Sequence, residues 1–281
     1  MSSSEPSKSH VGLIKSIYDE RSGQYDASFH GLLAEEYVRV AQPQSGEAVL
    51  DLACGTGLVT FLAEEKVGLR GRVVGVDISG GMLDVARRKV RVRNSNITFI
   101  EHDISDLSGL NLLPSGSEGF DLITCAAALV LIPDPLQAIR HWATLLKPGG
   151  RLVTDVAAKD VNVPSRILGR IGPRLGMSLQ WDQSWVQGED SLKALLSDSG
   201  LRVDTVFLSK TFQIREYVAS GAAQTFDQVV ESPMYRNFGD SSVREEARRL
   251  FVEEFTREAG PGGVLLDEAK MYIGVAYRPL G

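Results

Sequence analysis

The chain has 281 residues, 43% of them hydrophobic and 23% charged, with a formal net charge of -6. That apolar fraction can build a full core in one large domain or two small ones. The acidic balance argues against nucleic acid as a partner, and no apolar run approaches the roughly 18 residues of a membrane span.

The first ten residues, Met1 to His10, are polar. They lack the apolar centre of a secretory signal and predict a disordered tail. From Ala48 onward, short apolar runs alternate with helix-like periodic segments. Strands are expected over Ala48 to Cys54, Val73 to Ile78, Ile97 to Asp103, Phe120 to Ala127 and Arg151 to Val156. Helices are expected over Leu58 to Lys66, Gly81 to Val92 and Pro135 to Leu146, the last opened by proline and stopped by Pro148-Gly149-Gly150. Later come a short helix, Ser191 to Ser197, and strands over Arg202 to Lys210 and Met271 to Tyr277. Continuous apolar strands separated by helices predict an α/β fold with a doubly wound, mostly parallel sheet of about seven strands.

Two insertions interrupt this pattern, at about 157–189 and 211–270, the second reading as mostly helical. Their aromatic residues suggest a helical cap over one end of the sheet, with Trp181, Trp185 and Tyr235 as candidates for a substrate pocket. Cys54 and Cys125 both sit in apolar runs and read as small buried thiols of a reducing compartment, hence a cytoplasmic location, with no disulfide or metal site.

The residues that carry chemistry begin at Val49-Leu50-Asp51-Leu52-Ala53-Cys54-Gly55-Thr56-Gly57. A strand that stops at two glycines lets a ligand approach the backbone. The next strand ends in Asp77, an acceptor for ribose hydroxyls. Twenty residues separate Gly57 from Asp77, which also fits a dinucleotide site. That site needs a third small residue beside the pyrophosphate, and Thr60 occupies its place.

The ordered set of motifs resembles class I S-adenosylmethionine-dependent methyltransferases, and within them the ubiquinone/menaquinone-biosynthesis type. The set comprises the glycine segment, Val76-Asp77-Ile78-Ser79 with Gly81-Met82-Leu83, Phe99-Ile100-Glu101-His102-Asp103-Ile104, Phe120-Asp121-Leu122-Ile123-Thr124, and Leu145-Leu146-Lys147-Pro148-Gly149-Gly150-Arg151-Leu152. It covers roughly residues 45 to 158 and implies a Rossmann-like fold with S-adenosyl-L-methionine as cofactor. The resemblance implies that Asp77 takes the ribose hydroxyls and that Asp103 takes the adenine amino group. Ile78, Met82 and Ile104 would sandwich the ring, and Gly55, Thr56 and Gly57 would pass beneath the ribose and amino-acid tail. Asp51 either orients the ammonium or caps the turn. Residues 1–44 would supply a tail and lid helices, with Tyr25 of Gln24-Tyr25-Asp26 at the methionyl end. Residues 45–281 would form the methyltransferase domain with its cap insertions.

Methyl transfer chiefly demands positioning, and a base is required only for a protonated nucleophile of high pKa. Relatives often carry histidines before the Pro-Asp-Pro turn, where this chain has Leu129-Val130-Leu131-Ile132 before Pro133. An apolar acceptor pocket follows from that departure, with a thiolate, an amine or an enolate-like carbon as nucleophile. His30, after the lid segment, is the candidate base, and Asp155 a second. His10 falls in the tail, His102 points away from Asp103, and His141 lies on an outer helix, where a solvated role is expected. The expected function is methyl transfer to a small-molecule acceptor in secondary or quinone-type metabolism. The alternative is a protein that binds S-adenosylmethionine without transferring methyl, such as a cyclase or a regulatory partner; an oxidoreductase is a third reading. No motif in the insertions identifies the acceptor, and none speaks to oligomeric state.

Overall fold

A computed structural model describes residues 7–91, 96–113, 116–179, 181 and 183–280, with the backbone alone at residues 7–9 and 91. The described chain forms two compact units. The first comprises Met1–Val156, Ser184–Ser209 and Met271–Gly281, and the second Ala157–Gln183 and Lys210–Lys270.

In the first unit, the apolar runs become β1 (Ala48–Leu52), β2 (Arg72–Asp77), β3 (Ile97–Glu101), β4 (Phe120–Cys125) and β5 (Leu146–Ala157). With β6 (Arg202–Leu208) and β9 (Met271–Tyr277) they make a seven-stranded sheet in the order β3-β2-β1-β4-β5-β9-β6. β1 pairs in parallel with β2 and β4, β2 with β3, and β4 with β5, while β6 and β9 are antiparallel. Parallel register brings the carboxyl ends of β1 to β5 to one edge of the sheet. The strand order reverses between β1 and β4, which is where open α/β sheets bind ligands. Helices α3 (Leu58–Val67), α4 (Gly80–Arg91), α5 (Pro135–Leu145) and α7 (Glu189–Asp198) connect the strands. The N-terminal α1 (Ser7–Arg21) and α2 (His30–Ala41) precede them, joined by a short 3-10 turn over Ser22–Ala27. Trp142, Phe120, Leu50, Leu52 and Ile139 are fully buried in the main core, and the Trp142 indole donates to the Ile104 carbonyl at 2.8 Å.

Several boundaries differ from the expected ones for local reasons. β1 stops at Leu52 because Ala53 turns to φ +51, and β4 stops at Cys125 before Ala127 at φ +54. The Pro148-Gly149-Gly150 turn lies inside β5, where the pairing shifts from Phe120–Leu146 to Leu122–Arg151. The expected tail is already helical from Ser7; its first six residues, and Val92 of the helix expected over Gly81 to Val92, lie outside the described residues.

The second unit has a core of its own. α6 (Val163–Ile171), α8 (Ala222–Val229) and α9 (Arg244–Ala259) bury Phe226, Phe238, Phe251 and Phe255. The second insertion is mostly helical, as expected, and also holds an antiparallel pair that the sequence did not predict, β7 (Gln213–Val218) and β8 (Val264–Ala269). Asp267 of β8 accepts the backbone N–H groups of Asn162 and Val163 at 2.7 and 3.3 Å, placing a carboxylate at the α6 N-terminus. On α9, Glu254 and Glu258 face Arg166, Arg170 and Arg174. The chain returns to the first unit at Ser184, so Trp185 packs with the main core.

Candidate functional site

At the carboxyl edge of the sheet lies a pocket of about 710 Å³. Its two carboxylates come from the ends of β2 and β3. Asp77 is almost wholly buried; its Oδ2 accepts the Gly55 N–H and its Oδ1 the Ser79 N–H, both at 2.8 Å. Burial raises its carboxyl above the usual range, opposed by those two backbone donors. One donor per oxygen leaves each a further acceptor position for a ligand. Asp103 faces the same pocket, with Oδ1 accepting from the Ser105 N–H at 2.8 Å. Ile78, Met82 and Ile104 complete that end.

The glycine turn divides its labour. Gly55 (φ +55) lines the pocket, and an added Cβ there would meet only the Tyr25 ring at 3.9 Å. Gly57 (φ +85) lies off the wall, at the N-cap of α3, where an added Cβ would come within 2.7 Å of Phe61. Thr56 also lies outside the wall and donates instead to the Asp26 carboxylate. Lys89 closes that corner, 2.7 Å from Asp26 and donating to the Thr56 carbonyl at 2.9 Å. Thr56 and Gly57 thus hold the turn through these neighbours.

Asp51 lines a smaller adjoining pocket with Tyr25, His30, Leu33 and Ala34. Its carboxylate accepts the hydroxyls of Thr60 and Thr124 at 2.5 and 2.7 Å, tying β1 to α3 and β4. Burial pushes it up to about 6. Thr60, at the place where a dinucleotide site has its third small residue, is thus a buried donor to Asp51. Ala53, Gly55, Tyr25, Ala126 and Ala127 line both pockets.

Helix α1 supplies a wall that the sequence reading missed. His10, Ile14 and Tyr18 stand at i, i+4 and i+8, one helical face, and all three line the larger pocket with Val11. That spacing was the available signal; the polar composition before Val11 hid it. His10 is therefore a wall residue, its Nε2 2.9 Å from the Leu131 carbonyl. The helix is fastened by Asp19, which accepts the Ser79 hydroxyl at 2.6 Å and the Gly81 N–H at 2.9 Å. Lys15 reaches the Ile78 carbonyl at 3.1 Å and Glu101 at 2.7 Å. Opposite stand Leu131, Ile132 and Pro133.

His30 stacks on Tyr25 (4.4 Å between ring centroids) and Phe29 (4.5 Å), with Nδ1 2.5 Å from the Ser28 hydroxyl. Burial first, and then the Arg21 charge, lower it to about 4. It is therefore neutral at pH 7 and a poor proton acceptor. Asp155 is fully buried and lines neither pocket. His102 bonds the Asp106 carbonyl at 3.0 Å, and His141 Nε2 accepts the Leu107 N–H at 3.0 Å, a structural bond in place of the expected solvated role. Trp181 and Tyr235 form an edge-on pair at 5.4 Å inside the second unit, and the Tyr235 hydroxyl accepts from Asn162 Nδ2 at 3.1 Å. Neither they nor Trp185 line the pockets described; Tyr235 is buried in its local core, and the two tryptophans pack partly buried against theirs.

Residues 49–150 match the sequence profile of a family described as a methyltransferase domain. The chain is 34% identical over 148 residues to an aklanonic acid methyltransferase of Streptomyces sp. strain C5, covering 51% of this chain and 64% of that protein. It is 33% identical over 141 residues to a demethylmenaquinone methyltransferase of Lactococcus lactis, covering 50% and 54%. The alignments thus span roughly half to two-thirds of these relatives. The crystal structure of magnesium protoporphyrin IX methyltransferase from Synechocystis has the same fold, with a TM-score of 0.59 at 16% identity over 96% of this chain and 99% of that one. Among the described residues, no helix is long and apolar enough to cross a membrane.

Proposed function

We propose that the chain, whose residues 49–150 match a methyltransferase domain, uses S-adenosylmethionine to transfer a methyl group to a small, largely apolar acceptor of quinone-type or secondary metabolism. The observation that carries this reading is the larger pocket, with two carboxylates at the ends of adjacent strands and an apolar wall. Asp77 and Asp103 have acceptor capacity for ribose hydroxyls and an adenine amino group, and Ile78, Met82 and Ile104 bound a flat ring.

The cofactor supplies an electrophilic methyl carbon on a sulfonium. The chain's own residues hold and shield it. Tyr25 lies over Gly55 and, with Tyr18 and Ile14, keeps water from the ligand. Leu131, Ile132 and Pro133 offer an acceptor nothing to exchange a proton with. With His30 lowered to about 4 and Asp155 sealed, neither candidate base is suited to a phenol or an alcohol. Positioning then carries the catalysis, and the acceptor brings a nucleophile that is already reactive. The cytoplasm is the proposed compartment, in keeping with the two buried free thiols.

Incubation with methyl-labelled cofactor and thiol, amine, phenol and quinone acceptors, followed by mass spectrometry, tests the reading. Label in a product supports it. Tight binding of S-adenosylhomocysteine with no labelled product from the panel or a metabolite extract overturns it in favour of a non-methylating role.

A further inference from the structure

Beneath the pocket wall lies a buried polar group that the reaction as described does not use. The Cys125 carbonyl, at the end of β4, accepts from the Tyr37 and Thr154 hydroxyls, both at 3.0 Å. Two residues on, Ala127 stands at φ +54, a conformation that non-glycine residues adopt only when held there. What holds it is Asp155, whose Oδ1 accepts the Ala127 N–H at 2.7 Å. Asp155 has no exposed surface, and its Oδ2 has no hydrogen-bond partner among the described residues. Burial pushes its carboxyl up to about 7. The Tyr37 hydroxyl beside it and the Ala127 N–H both favour its charged form; a buried acid is nonetheless costly, so its bond to Ala127 calls for a reason.

The reason lies in what Ala127 touches. Ala126 and Ala127 line both pockets, as do Ala53 and Gly55, whereas Asp77 and Asp103 line only the larger one. A cofactor with its adenosine fixed by those two acids runs past Gly55 toward this shared wall. We propose that Asp155 is a positioning residue: through the Ala127 N–H it holds the left-handed end of β4 that shapes the pocket around the methionyl part of the cofactor. The inference rests on the cofactor reading above.

Calorimetry with S-adenosylhomocysteine and with adenosine, on the native chain, Asp155→Asn and Asp155→Leu, tests it. The amide keeps an oxygen for Ala127, so Asp155→Asn should bind both ligands within about twofold of the native chain. Asp155→Leu leaves the Ala127 N–H unpaired, and S-adenosylhomocysteine should weaken about tenfold or more while adenosine stays within about twofold. Should Asp155→Leu not fold, Asp155→Ser, polar but too short to reach Ala127, is expected to show the same split. Equal losses of both ligands would mark a merely structural role and overturn the inference. So would native-like S-adenosylhomocysteine binding by Asp155→Leu or Asp155→Ser, or an Asp155→Asn as damaged as Asp155→Leu. A native chain that binds neither ligand overturns the cofactor reading, and this inference with it.

Discussion

The two units bury different chemistry. The pocket-bearing unit sequesters Asp51, Asp77 and Asp155 together with Thr60, Thr124 and Thr154. The second unit buries rings, and its buried polar residues among those described are Ser165 and Asp267. Transferring rings out of water is favourable in itself, whereas a buried carboxylate loses hydration and is tolerated only with donors around it. The second unit is therefore built for stability. The first spends stability to hold acceptors and strained turns at one sheet edge.

The largest expected effect sharpens that division. Phe251, fully buried on α9, should cost about 3–5 kcal/mol of unfolding free energy when replaced by alanine. S-adenosylhomocysteine affinity of the folded Phe251→Ala protein should stay native, and a tenfold loss would break the comparison. Next is the pH dependence of the first unit. Asp51 and Asp155 are raised to about 6 and about 7 in the folded chain, above the carboxylate range of about 4 in the unfolded chain. The folded state therefore holds their protons more tightly. Their contribution is complete below about pH 4 and is lost as pH rises to 6 and 7, on the order of 2–4 kcal/mol for Asp155. Urea titrations at several pH values should show stability falling over that range, and Asp155→Asn should flatten the fall above pH 6.

Smaller effects probe the pocket itself. Asp77→Ala removes the proposed ribose acceptor and should weaken S-adenosylhomocysteine about a hundredfold by calorimetry; unchanged affinity would show that this carboxylate is structural. His30→Ala should change kcat by less than about threefold on any acceptor found, where loss of a working base costs about a hundredfold or more. Smallest is Ala53→Gly, which relieves the left-handed alanine and should raise stability by less than about 1 kcal/mol in thermal unfolding.

Much of the first unit was legible because its signals are local. Apolar runs of strand length and Asp134-Pro135 at the start of α5, where Asp134 accepts the Gln137 N–H at 2.9 Å, each act within a few residues. The second unit was less legible. β7 and β8 pair Gln213 with Ala269 and Val218 with Val264, across a long intervening helical stretch, and no periodicity in either strand records its partner. The site divided in the same way. Asp77, Asp103, Ile78, Met82 and Ile104, named from the motif order, line one pocket together, while the contacts of Thr56 to Asp26 and of Gly57 to Phe61 come from segments the motif does not contain.

From the sequence alone came the parallel sheet, the glycine turn, the acids at the ends of β2 and β3, and through them the cofactor. Strand length, turn chemistry and the spacing of an acid from a glycine turn are consequences of backbone geometry over short distances. Tertiary structure alone decided which donors reach each buried acid and which pocket, if either, it lines. Asp51 found Thr124, Asp155 found Ala127, and His10 found Leu131 across 73, 28 and 121 residues. A carboxylate's role is set by the donors that reach it and by its access to solvent, and both arise only when distant segments meet.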